Sequence, residues 1–199
     1  GHSMELAKHG AKVIVNDLGG SVTGEGAGRA ADETVALIEA AGGTAAANFG
    51  DVSDHDACGA MVQQAVDTYG KLDIVVNNAG ITRDAMLHRM TDDEWDLVLD
   101  VSLKGTFYLC RSAARLLRQK DAPYNRKVVN ISSAAGVYGY AGTTNYSAAK
   151  AGVSAGFRAL AREVRSRGIT VIDLRPPHTE TGLAARPLIL WISIRVLWR

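Results

Sequence analysis

Short apolar runs bounded by turn residues alternate along this chain with longer stretches whose apolar residues recur every three or four positions. Glu5 to Gly10 reads as the tail of a helix, and Lys12 to Asn16 is an apolar run that opens into a turn-rich stretch. Ala27 to Ala41 has helical composition and stops at Gly42-Gly43; Thr44 to Phe49 is a weak strand; Asp54 to Tyr69 is a helix closed by Gly70; Leu72 to Val76 is a buried strand. Trp95, Val98, Ser102, Leu109, Ala113 and Leu116 recur at helical spacing and predict one long helix from Thr91 to Lys120. Lys127 to Ser133, with Val128, Val129 and Ile131, predicts the next strand, followed by a helix over Tyr146 to Arg167 and a strand over Ile169 to Leu174. Continuous apolar strands alternating with helices predict an α/β fold, a doubly wound parallel sheet of Rossmann-like type with helices on both faces.

The last residues break this rhythm. Ile192, Ile194, Val196 and Trp198 fall on one face at period two, with Trp191 and Leu197 adding apolar surface to the other. This tail has strand character, and it is expected to pair with a sheet edge in its own chain or a neighbour's. Its apolar run is well short of the roughly 20 residues that cross a bilayer.

Totals narrow the function classes. With 22 Lys and Arg against 21 acids, no charge excess argues for nucleic acid or a membrane surface. Two cysteines, Cys58 and Cys110, make no disulfide framework and fit a reducing, cytoplasmic setting. His55 and Cys58 have metal-like spacing but no second pair accompanies them, so no metal site is expected. Gly1-His2-Ser3 ahead of Met4 reads as an expression scar, leaving residues 4–186 as one domain and 187–199 as an atypical apolar tail.

The chemistry gathers in Tyr146-Ser147-Ala148-Ala149-Lys150, with Ser133 upstream and Asn77-Asn78-Ala79-Gly80 before that. Four positions apart on a helix, Tyr146 and Lys150 share a face, so the ammonium is expected to lower a phenol pKa that is ordinarily about 10. Ser133, near the carboxyl end of its strand, lies where open α/β sheets keep their sites. Ser132, one residue further from Tyr146, is the neighbouring hydroxyl.

In this order the residues resemble the short-chain dehydrogenase/reductase family, over about Glu5 to Leu183. Gly80-Ile81-Thr82-Arg83-Asp84 and Ala161-Arg162-Glu163-Val164 look like the 3-oxoacyl-thioester reductases. Val15-Asn16-Asp17-Leu18-Gly19-Gly20 looks like the hydroxyacyl-CoA dehydrogenase part of peroxisomal multifunctional enzymes. The resemblance implies an oxidoreductase that interconverts a carbonyl, such as a 3-oxoacyl thioester, and its alcohol with a nicotinamide cofactor. Tyr146 would be the acid, Ser133 would bind the same oxygen, and Lys150 would bind nicotinamide ribose. Ser102 stands where many members place an Asn that relays protons through water. Asp17 would bind the adenosine ribose, favouring NAD over NADP; Asp51 and Val52 match the adenine contact. Asn78, Ala79 and Gly80 match the loop beside the cofactor, and Thr179 and Thr181 match contacts to the nicotinamide half, although Pro177 replaces the usual glycine. The long helices are those that pair in family dimers and tetramers, so a homo-oligomer is implied.

One departure bears on activity. The acid that binds ribose follows the glycine-rich turn by roughly 20 residues, so counting back from Asp17 runs past the chain's start, and the first strand with its turn is expected to be missing. Gly24-Glu25-Gly26-Ala27-Gly28 has the wrong spacing to replace it. A competing reading follows, an associating fold of this family that does not turn over substrate.

Overall fold

The computed structural model describes residues 1–20, 29–119 and 126–176, with the backbone of 194–196. Thr179, Thr181 and the Gly24 to Gly28 run lie outside these described residues.

Helix α1 (His2–Lys8) leads into β1 (Lys12–Asn16), then α2 (Ala30–Ala40), β2 (Thr44–Asn48) and α3 (His55–Tyr69). β1 and β2 pair in parallel from Lys12↔Thr44 to Asn16↔Asn48. The next strand, β3 (Ile74–Asn77), belongs to a second sheet with β4 (Arg126–Ile131), β5 (Ile169–Leu174) and β6 (Ile194–Val196), in the order β3-β4-β5-β6. Its first three strands are parallel; β6 is antiparallel to β5, with Leu174 opposite Ile194. The α/β architecture with parallel strands is therefore present, in two sheets. Residues 194–196 of the apolar tail take the outer edge of β5 and do not lie between β1 and β3.

Helix ends follow local chemistry. Asp54 caps α3, its carboxylate accepting from Asp56 N at 2.7 Å and Ala57 N at 3.0 Å, and these bonds hold its pKa below the ordinary value. Gly70 ends α3 in the left-handed region at φ 78°. α4 (Asp92–Leu99) starts with a reciprocal Thr91–Glu94 capping box.

The single helix predicted from Thr91 to Lys120 is interrupted. α4 passes into a π-helical turn, Asp100–Lys104, before α5 (Gly105–Leu117). Gly105 packs on the loop after β2, where an added Cβ would lie 2.9 Å from Val52 Cγ2 and 3.0 Å from Val52 O. The helix is thus fitted to a neighbour, and its π turn carries the fully buried Ser102.

After β4 come a short helix α6 (Ala135–Tyr138), which periodicity did not reveal, and the long α7 (Thr144–Val164). The helix expected over Tyr146 to Arg167 starts two residues earlier and finishes in a 3-10 turn, Arg165–Arg167. The main core joins Val75, Val128 and Val171 of the sheet to Cys110, Ala113 and Leu117 of α5 and Val153 and Phe157 of α7. A smaller one joins Ala7, Val15, Ala31, Ile38 and Ala45.

α6 lies directly on α7, because a Cβ on Gly136 would come within 2.7 Å of both Ala151 N and Lys150 C. Gly136→Ala is therefore expected to cost about 1–3 kcal/mol through overpacking against backbone. Gly156→Ala, on the same α7 with nothing within 4 Å of the added methyl, is expected to be neutral or stabilising by up to about 1 kcal/mol. Urea denaturation of both variants checks the pair.

Candidate active site

Strand β4 ends at Ile131, and the two serines that follow part company. Ser132 Oγ turns into the core, 2.7 Å from Ser154 Oγ and 3.3 Å from Lys150 O. Ser133 faces the other way: its Oγ accepts from Ala135 N at 3.1 Å, and its side chain hydrogen-bonds with Tyr146. Of the two serines, Ser133 is the one whose side chain meets Tyr146.

Lys150 is only 4% exposed, and its Nζ donates to Ile131 O at 2.8 Å. The ammonium sits 5.6 Å from the centre of the Tyr146 ring. Gly80 closes this corner, since a Cβ there would lie 3.3 Å from Lys150 Nζ and 3.4 Å from Ser102 Oγ. Ser102 Oγ is buried with no hydrogen-bond partner among the described residues. The structure therefore brings together Ser133, Tyr146, Lys150, Ser102 and Gly80, while Asn78 and Ala79 stand exposed just beyond β3.

The electrostatics differ from the expectation for Tyr146. Its phenol is raised above its ordinary value of 10.0, first by burial, against which the Ser133 hydrogen bond lowers it and the Asp84 carboxylate raises it further. Lys150 does not impose the expected lowering. Desolvation brings its own pKa down to about 8, with the Asp173 carboxylate working in the opposite direction.

The remaining candidates lie at the carboxyl ends of β1 and β2. Asp17 follows β1, its amide donating to Asn48 O at 3.1 Å and its Oδ1 accepting from Gly19 N at 2.7 Å. Asp51 Oδ1 accepts from Ser53 N and Ser53 Oγ, both at 2.8 Å, and Asp54 rather than Asp51 is the cap of α3. A network of amide side chains fixes this edge: Asn16 Nδ2 donates to Asn48 Oδ1 at 2.8 Å and Gly50 O at 2.9 Å, and Asn48 Nδ2 donates to Gln64 Oε1 at 2.7 Å. Asn77 has a similar task, donating to Asn130 Oδ1 at 2.7 Å across two strands. Sequence reasoning gave no role to Asn145, or to Asp84 within its motif, and both border Tyr146.

His55 contacts Asp56 and stacks edge-on with Tyr108, and Cys58 Sγ donates to Val52 O at 3.3 Å. No group of three or more potential metal-ligating side chains occurs among the described residues. Burial pushes the Cys58 thiol up to about 11 and the Cys110 thiol to about 12, which suits inert core residues. No helix among the described residues is long and apolar enough to cross a membrane.

A family model described as short chain dehydrogenase matches residues 2–187. The chain belongs to the short-chain dehydrogenase family. Its members are nicotinamide-dependent oxidoreductases, so the serine, tyrosine and lysine stand in an enzyme fold. Among similar proteins, the peroxisomal multifunctional enzyme A of Dictyostelium discoideum is 44% identical over 176 residues, covering 88% of this chain and 38% of that protein. The 3-oxoacyl-acyl-carrier-protein reductase of a Synechocystis species is 38% identical over 197 residues, covering 96% of this chain and 75% of that one. The crystal structure of a short chain dehydrogenase from Mycobacterium avium superposes with a TM-score of 0.81 at 41% identity, over 89% of this chain and 64% of that one.

Lys150 generates a pH test of this site. Its folded pKa of about 8 lies below the ordinary 10.5, so the folded state loses the proton before the unfolded state does. Stability contributed through Lys150 therefore rises as pH rises from about 8 towards 10.5. At about 1.4 kcal/mol per pH unit, the chain should gain about 3 kcal/mol over its Lys150→Met variant between pH 7 and pH 11. Denaturation curves of the two proteins at both pH values measure it, and a constant difference would mean that Lys150 is not desolvated.

Proposed function

We propose that the protein interconverts a carbonyl and its alcohol with a nicotinamide cofactor, and that the carbonyl is carried on a 3-oxoacyl thioester. The observation that carries this reading is the convergence of Ser133, Tyr146 and Lys150 where β4 meets α7. The likeness to a reductase named for 3-oxoacyl substrates and to a peroxisomal multifunctional enzyme supports the thioester.

The residues present fit a nicotinamide dinucleotide in their chemistry. Asp17, Asp51 and the segment Asn78 to Gly80 all follow the carboxyl ends of parallel strands, and Gly80 leaves backbone without a side chain over Lys150 and Ser102. Asp17 would hold the adenosine ribose, Val52 would meet the adenine, and Lys150 would hold the nicotinamide ribose. When bound, the cofactor supplies or accepts the hydride.

The chain's own residues manage the proton. A phenol raised above 10.0 stays protonated at neutral pH, the form needed to give its proton to the oxygen of a carbonyl under reduction. Ser133 is placed to donate a second hydrogen bond to that oxygen. Lys150, poised near 8, stays largely charged at pH 7 and favours negative charge developing beside it. Ser102 Oγ, buried and without a partner among the described residues, suits a water beside the ammonium. The exposed Leu97 and Phe107 of α4 and α5 support a homo-oligomer built on these helices. The separation of β1 from β3 favours the second reading, an associating fold without turnover.

Tyr146→Phe is expected to lower the rate of 3-oxoacyl thioester reduction by about 10² to 10⁴-fold while the circular dichroism spectrum is unchanged. Steady-state assays with acetoacetyl-CoA decide this, and near-normal turnover would remove Tyr146 as the acid.

Asp17 supports NAD over NADP, because a carboxylate accepts bonds from ribose hydroxyls and repels a 2′-phosphate. Calorimetric titration with both cofactors is expected to show tighter binding of NADH than of NADPH. The reverse order would sink the assignment.

A further inference from the structure

We propose that Asn145 is a positioning residue for this site, whose side chain clasps the loop 81–90 and the first turn of α4 to the catalytic end of α7. The proposal rests on the reading of Tyr146 given above.

Asn145 is fully buried, and all of its hydrogen-bonding capacity shown here goes to backbone. Its Nδ2 donates to Arg83 O at 2.9 Å and to Glu94 O at 3.0 Å, while its Oδ1 accepts from Tyr146 N at 2.7 Å. One amide therefore joins the start of α7 to a loop and a helix that lie 62 and 51 residues earlier in the chain. Its acceptor task is one that α7 needs: Tyr146 N is among the first amides of the helix, which have no intrahelical partner. The N-cap residue Thr143 makes no side-chain bond to them, its hydroxyl instead meeting Tyr140 O and Ser147 Oγ at 2.9 Å each.

The donor task concerns the loop. A second bond, from Ala85 N to Gly142 O at 2.9 Å, ties the same loop to the approach of α7. The loop carries Asp84, whose charge acts on the Tyr146 phenol, followed by the exposed Met86 and Leu87. It is thus a wall of mixed charge and apolar surface beside the proposed acid. Asn145 sets its distance from that acid, because its two donated bonds and its accepted bond share one rigid amide plane. A carbonyl substrate that meets this wall is placed through Asn145 without touching it.

Asn145→Asp separates the two tasks. The carboxylate keeps an acceptor for Tyr146 N and loses both donors, so it faces Arg83 O and Glu94 O with repulsion. Backbone amide exchange by NMR on the full chain is expected to show Ala85 exchanging about tenfold faster or more, while Tyr146 stays protected. Thr91→Ala, which removes the α4 capping box but leaves the clasp, should not change Ala85. With acetoacetyl-CoA, Asn145→Asp should raise KM about tenfold and leave kcat within about twofold. Asn145→Ser, a smaller lesion, should give the same ordering of effects if the aspartate variant folds poorly. Unchanged Ala85 protection in both variants overturns the clasp. A wild-type chain that turns over no substrate counts against the proposed reduction and leaves the exchange measurement to decide the clasp.

Discussion

A lysine ammonium buried to 4% exposure has to find an acceptor, and Lys150 finds it in the carbonyl of Ile131, the last residue of β4. That bond fixes α7 against the end of the strand. The surroundings admit little else: α6 crosses at Gly136 with no room for a methyl, and Ser132 bonds to Lys150 O and Ser154 on the same α7. Once this turn of α7 is pinned, Tyr146 one turn earlier is delivered to Ser133, because the strand has run out and the second serine of the pair points away from the core. The site is a consequence of how a strand end and a helix are bolted together.

Burial that creates the clamp also sets the proton chemistry. It raises the phenol and lowers the ammonium, which drives apart two groups whose ordinary values lie close to one another, contrary to the simple picture of a lysine acidifying a tyrosine. Asp173 on β5 counters part of the cost of the ammonium. It lies opposite Asn130 in register, and Asn130 in turn lies opposite Asn77, so a row of polar side chains crosses three strands just below the site. Asn77 and Asn130 are joined, whereas Asn130 Nδ2 and Asp173 Oδ1 are both buried and unpartnered among the described residues. Asp173 Oδ2 accepts from Arg175 Nε at 3.0 Å and from its terminal nitrogen at 2.7 Å, and the same carboxylate favours the charged form of Lys150.

What could be read from the sequence follows from range. The strands were legible because Val75, Val128 and Val171 lie in continuous apolar runs, and the order Ser133, Tyr146, Lys150 was legible because strand end and helix spacing are local properties. α6 and the π turn were not. The first exists because Gly136 can rest on α7, and the second sits where Gly105 meets Val52, contacts that no periodicity records. The direction of the Tyr146 shift was misjudged for the same reason: spacing announces the neighbouring lysine, but burial is decided by the whole fold. Asn145 is the extreme case, since a single amide beside a tyrosine says nothing until Arg83 and Glu94 arrive from elsewhere in the chain.

The two sheets divide the site into halves with separate supports. On one side, Asn16, Asn48 and Gln64 hold Asp17 and Asp51 at the ends of β1 and β2. On the other, bonds of Lys150, Ser132 and Asn77 fix the ends of β3 and β4, beside which Ser133 and Tyr146 meet. No strand among the described residues bridges them, so their spacing is carried by helices: α3 packs on both β1 and α5, and Val52 rests against Gly105 at the junction of the π turn with α5. Gly105 sits three residues beyond Ser102, and Thr106 Oγ1 donates back to Ser102 O at 3.0 Å. A displacement at Val52 would therefore pass through Gly105 and Thr106 to the serine beside the ammonium. The contact that registers the β1-β2 sheet against the β3-β4 ends is the same one that fixes Ser102, which makes the π turn the joint between them and explains why a residue without a side chain stands there.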